Sequence, residues 1–118
     1  MTQLNAAARL TAANYEGYDK AKVLIQRALG KKPTDDGDDR AVWGKHSGPM
    51  LVTLSGFPNG RLELYVKLVS GRKVLDFTAE GPNERGLVSN MKKRLSTIPR
   101  NSDFADDPVV VALSHIRV

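Results

Sequence analysis

The sequence predicts an α+β fold: an antiparallel β-meander plus a C-terminal strand, with helices packed on one face. Three observations carry this expectation. From Arg61 to Val69 every even position is aliphatic, while the odd positions through Lys67 are charged or aromatic. Successive strand side chains point to opposite faces, so Leu62, Leu64, Val66 and Leu68 share one buried face. Turn formers flank this run: Gly56-Phe57-Pro58-Asn59-Gly60 before it and Ser70-Gly71 after it, which makes two hairpins in series. Downstream, the apolar period changes from that of a strand to that of a helix.

Residues Thr2 to Leu29 read as helix in two pieces, divided at Gly17. Leu4, Ala7, Ala8, Thr11 and Tyr15 line up as a thin, alanine-rich face. Residues 1–17 are therefore expected to be a loosely docked helical arm or an oligomer contact. Tyr18, Ala21, Leu24, Ile25, Ala28 and Leu29 form a stronger apolar face, and Gly30 is a natural stop. Residues 31–48 are polar and hold Pro33, Gly37 and the aspartates 35, 36, 38 and 39. A connection of that length and composition is expected to be a mobile loop. Its acids do not fit a calcium-binding loop, which needs acids at alternating positions, a central glycine and a late glutamate. No metal site is expected.

Met50 to Ser55 is the first strand of the meander, Arg61 to Val69 the second, and Arg72 to Thr78 the third. The next helix starts after Glu80-Gly81-Pro82-Asn83, with Asn83 as N-cap and Glu84 at the positive end of the helix dipole. Leu87, Val88, Met91, Leu95 and Ile98 fall on one side at helical spacing. Arg85, Ser89, Lys92, Lys93 and Ser96 fall on the other, and Pro99 ends the helix. A loop from Arg100 to Asp107 places Phe104 under the core. The β-branched run that begins Pro108-Val109-Val110-Val111 reads as a strand reaching Val118. The expected core is Leu24, Ile25, Leu62, Leu64, Val66, Leu68, Leu75, Phe77, Leu87, Met91, Leu95, Val111 and Leu113.

A chain of 118 residues with 41% hydrophobic and 26% charged content reads as a single small basic domain over residues 1–118. It has no cysteine, which excludes disulfides, thiolate metal sites and cysteine nucleophiles. No apolar run is long enough for a membrane span, and no secretory signal is read at Met1-Thr2-Gln3-Leu4-Asn5. A cytoplasmic protein without membrane contact is expected. No cofactor motif, serine elbow, P-loop or dinucleotide fingerprint is present, so the chain is expected not to be an enzyme.

The net charge is +5, and the excess is read as spread along the chain. A basic balance favours polyanionic partners: DNA, RNA or an acidic protein surface. The sequence points to nucleic-acid binding with little sequence preference, carried by Arg85, Lys92, Lys93 and Arg100, with Arg94 at the edge of the same helix face. Tyr65 and Lys67 on the open sheet face, and Trp43 among Arg40, Lys45 and His46, are further candidates. An aromatic ring among cations can stack on an unpaired base. The alternative is a protein-binding adaptor, inhibitor or assembly subunit that uses a sheet edge or the N-terminal helix, or that forms a homodimer.

Overall fold

The computed structural model describes residues 2–118, with side chains from residue 16 onward. In chain order the elements are α1 (Thr2–Leu29), β1 (Asp35–Asp36), β2 (Arg40–Gly44), β3 (Met50–Gly56), β4 (Leu62–Ser70), β5 (Lys73–Gly81), α2 (Glu84–Ser96) and α3 (Pro108–Ser114). The five strands form one antiparallel sheet in the order β1-β2-β3-β4-β5. This is the expected α+β meander, widened by a hairpin at its start.

Register follows from the alternation. In β4, Leu64 stands opposite Leu54 of β3 and Ala79 of β5, and Val66 stands opposite Val52 and Phe77. These residues form the core face with Ala41 and Trp43 of β2. Gly71, at φ 62°, opens the tight β4–β5 turn, where a two-residue hairpin calls for positive φ. α1 packs on β3, and α2 packs on β5 and β4. Tyr18, Ala21 and Ile25 of α1 meet Leu87, Val88, Met91 and Leu95 of α2 in the same core. All the helices thus lie on one side, and the other sheet face carries Thr53, Glu63, Tyr65, Lys67, Asp76 and Thr78.

Four expectations change. α1 is one helix and does not divide at Gly17. A glycine costs a helix about 1 kcal/mol relative to alanine but does not end it, and buried Tyr18, Ala21 and Ile25 continue the face. A Cβ at Gly17 would lie 3.8 Å from Leu62 Cδ1 and 3.7 Å from Glu84 Oε2, so α1 runs close over the starts of β4 and α2 there. The alanine-rich face built on Leu4, Ala7, Ala8, Thr11 and Tyr15 lies outside the described side chains.

Residues 31–48 are not an irregular loop, because they contribute β1 and β2 to the sheet. Ala41 and Trp43 are the apolar anchors that hold β2 in place, both fully buried. The hairpin is also tied to α1. Tyr18 Oη donates to the Gly37 carbonyl at 2.9 Å, and Lys22 Nζ pairs with Asp36 Oδ1 at 2.9 Å.

The third correction is the C-terminal strand, which is the helix α3 instead. Asp107 caps it by accepting from the Val109 amide at 2.8 Å, and Pro108 occupies the first turn. Proline there gives up no hydrogen bond, and its φ suits a helix. Val110 and Leu113, three apart, bury toward α1 and α2. The fourth change follows, since Val111 faces solvent and leaves the core.

The contact between β5 and α2 is close. A Cβ at buried Gly81 would run into the backbone of Gly86 and Leu87. Gly81→Ala should therefore push the start of α2 off the sheet and destabilise by about 1–3 kcal/mol, seen as a lower midpoint of urea unfolding. An unchanged midpoint would mean that α2 does not approach the strand so closely.

Candidate nucleic-acid interface

α2 is built to present cations. Asn83 Oδ1 accepts from the Gly86 amide at 2.9 Å, and Glu84 sits in the first turn. At the other end, Thr97 Oγ1 donates to the Arg94 carbonyl at 2.6 Å and Ser96 Oγ to the Lys93 carbonyl at 2.7 Å. Asn90 Nδ2 donates to the Glu80 carbonyl at 2.6 Å and ties the middle of the helix to β5. With Leu87, Val88, Met91 and Leu95 buried, the rest of the helix surface faces solvent. Arg85, Ser89, Lys92 and Ser96 recur at helical spacing along one solvent-facing stripe. Lys93 stands beside that stripe, and Arg94 lies on the far flank.

One uninterrupted run of cations lies on this helix and the turn after it. From Arg85 to Arg100 there are five cations (Arg85, Lys92, Lys93, Arg94 and Arg100) and no acid. Lys and Arg number 18 and Asp and Glu 13, for a net charge of +5. The five cations from Arg85 to Arg100 are one concentration of positive charge among others. Among the described residues, no carboxylate forms an ion pair with any of these five side chains. Glu84, the nearest acid in sequence, lies 3.9 Å from Lys20 of α1. A running sum of charge rises equally from Lys20 to Lys32, where Lys20, Lys22, Arg27, Lys31 and Lys32 are interrupted by no acid. That run differs in that Lys20 pairs with Glu16 and Glu84 and Lys22 with Asp36. Arg94 belongs to the basic run in sequence but lies about half a turn around the helix from the stripe of Arg85 and Lys92.

The other candidates lie elsewhere. Tyr65 and Lys67 are on the open sheet face, on the side away from α2. Tyr65 Oη donates to Asp76 Oδ2 at 3.4 Å. Partial burial, and then the Asp76 carboxylate, push its phenol above the ordinary value. Lys67 stands opposite Asp76 in register. Arg61, on the same sheet face, pairs with Glu80 at 3.1 Å and covers the Phe57 ring at 4.2 Å. Cations on this face are met by carboxylates, so the face is close to neutral.

Trp43 is corrected outright. It is 0% exposed, and its Nε1 donates to the Lys31 carbonyl at 3.0 Å. Alternation within β2 turns it to the core face, opposite Val52. It cannot stack on a base.

The aspartates of residues 35–39 do not converge. Asp35 and Asp36 are successive in β1, opposite Val42 and Ala41, and so point to different faces. Among the described residues, no three His, Asp or Glu side chains come together to hold a metal ion. No helix among them is long and apolar enough to cross a membrane.

No protein-family model matches the chain, and neither a curated protein nor a solved structure does.

Proposed function

We propose that this chain is a non-enzymatic nucleic-acid-binding protein that grips phosphates with Arg85, Lys92, Lys93 and Arg100. The observation that supports the reading is a run of five cations on one helix and the turn after it that holds no acid and, among the described residues, pairs with no carboxylate. Unopposed cations in a row release counterions from a polyanion when they bind it. Phosphate contacts carry no sequence information, so little sequence preference is expected. Such a role fits a cytoplasmic protein.

The test is a titration of labelled oligonucleotides at two salt concentrations, with wild type and a Lys92→Glu/Lys93→Glu variant. Wild-type affinity should fall steeply with salt. The variant should bind more weakly, with a log–log salt slope shallower by about two units, since each cation removed takes about one. Circular dichroism confirms that the variant is folded. Equal binding by the folded variant, or no wild-type binding at low salt, overturns the reading.

A second reading, protein binding, is supported by an apolar cleft of about 430 Å³ lined by Val23 and Leu24 of α1 and by Val118. Val23 is 44% exposed and Val118 57%. This reading becomes the working one if the titration fails.

A further inference from the structure

We infer that the partner of α2 is a duplex and not a single strand; this rests on the nucleic-acid reading above. Proteins that hold single strands combine a cationic groove with aromatic rings on which successive bases stack. Each stacked base is worth about 1–3 kcal/mol. Such a ring must lie beside the cations with its face free.

The described phenyl, phenol and indole rings are all committed elsewhere, and the two histidines stand off α2, His46 between β2 and β3 and His115 at the end of α3. Trp43, Tyr18, Phe77 and Phe104 are buried. Phe57 lies beneath the Arg61 guanidinium in the β3–β4 turn. Tyr65 is on the sheet face turned away from α2, with its hydroxyl on Asp76. Besides the cations, the side chains on the exposed surface of α2 are Ser89, Asn90 and Ser96, which hydrogen-bond; only the guanidiniums of Arg85 and Arg94 can lie flat on a base.

What α2 does offer is a rigid row of charge. Its 13 residues span about 20 Å, and Arg85 and Lys92 are separated by about 10 Å along the axis. Both ends are capped, and the middle is pinned to β5 by Asn90. A duplex presents phosphates at a fixed and high density, one charge per about 1.7 Å of axis, already straight and in place. A single strand has lower charge density and must be straightened against its own entropy to meet the same row. Without an aromatic ring among the described side chains of this surface, the compensating gain is limited to guanidinium stacking. The salt response carries the same signature: for equal phosphate contacts the slope is about 0.9 per contact on duplex DNA and about 0.7 on single strands.

The experiment compares a labelled 20-base-pair DNA duplex of mixed sequence with each of its isolated strands. Binding is measured by fluorescence anisotropy at 50 and 150 mM salt, with wild type and Lys92→Glu/Lys93→Glu. The duplex should bind at least tenfold more tightly than either strand at 50 mM, with the steeper slope, and the variant should lose most of that binding. If a strand binds as tightly as the duplex, the duplex inference is overturned while the nucleic-acid reading stands. If neither binds, both are overturned. Duplex binding that the folded variant keeps in full moves the contact off α2 and overturns both as stated.

Discussion

Replacing Trp43 with alanine should lower stability by about 3–5 kcal/mol, the cost of emptying a large, closed site in a core. Trp43 heads the fully buried side chains by volume. It joins the β1–β2 hairpin to the rest of the core. Two losses combine. Removing the indole gives up its transfer free energy and leaves a cavity that β2 and β3, paired from Arg40↔Ser55 to Gly44↔Leu51, can close only in part. It also leaves the Lys31 carbonyl without the Nε1 donor, worth about 0.5–1.5 kcal/mol. Trp43→Phe separates the two, since it keeps most of the volume and loses the hydrogen bond; a smaller loss of about 1–2 kcal/mol is expected. Urea unfolding followed by far-UV circular dichroism reads both variants, because the fluorescent probe is itself removed. Domains of this size are stable by only about 5–15 kcal/mol, so the alanine variant should unfold on the order of 10 °C lower. An alanine variant as stable as wild type would mean that Trp43 is not enclosed, and would reopen its use as a stacking residue.

Legibility in the sequence depended on how strongly a local pattern was tied to burial. β4 was readable because alternation extends over the whole strand and only one register buries Leu62 through Leu68. α2 was readable because cap, apolar stripe and stop all agree around it. Val109-Val110-Val111 suits a strand, whereas the decisive signal for α3 is the Asp107-Pro108 pair in front of it. A cap and a helix-compatible φ outweigh a modest intrinsic preference against β-branched residues. β1 and β2 were hidden by their polar surroundings. Ala41 and Trp43 alternate over too few residues to stand out, and β2 is recognised only once β3 is there to pair with it. The same shortness concealed which way Trp43 points. Gly17 looks like a breaker in sequence because its real setting, a close passage over Leu62 and Glu84, is tertiary. For the candidate site, helical spacing picks out Arg85, Lys92 and Lys93, but not that they pair with no described carboxylate while Lys20 and Lys22 of α1 do. Tyr65 was placed on the right face, while its commitment to Asp76 depends on strand pairing that no local pattern reveals.

Leu64→Ala should cost about 2–5 kcal/mol, and its contrast with Leu51→Ala tests the assignment of the two sheet faces. Both leucines are buried, at 0% and 1% exposure, so exposure does not separate them. Leu64 lies in the central part of β4 between Leu54 and Ala79, under the helices and within the main core cluster. Its neighbours are held by two strands and by packed helices, and the space it leaves stays open. Leu51 is on the other face, outside that cluster, in register with Gly44 and Lys67. The long Lys67 side chain can lay its methylenes over a vacated Leu51 site while its ammonium stays in water. Leu51→Ala should therefore fall at the low end, about 2 kcal/mol, and Leu64→Ala clearly above it. Equilibrium urea denaturation of the two variants provides the comparison, with equal m-values confirming that the unfolded states are alike. If Leu51→Ala proved the more costly of the two, a covering layer would have to exist on the face described here as open, and Tyr65 and Lys67 would lie beneath it.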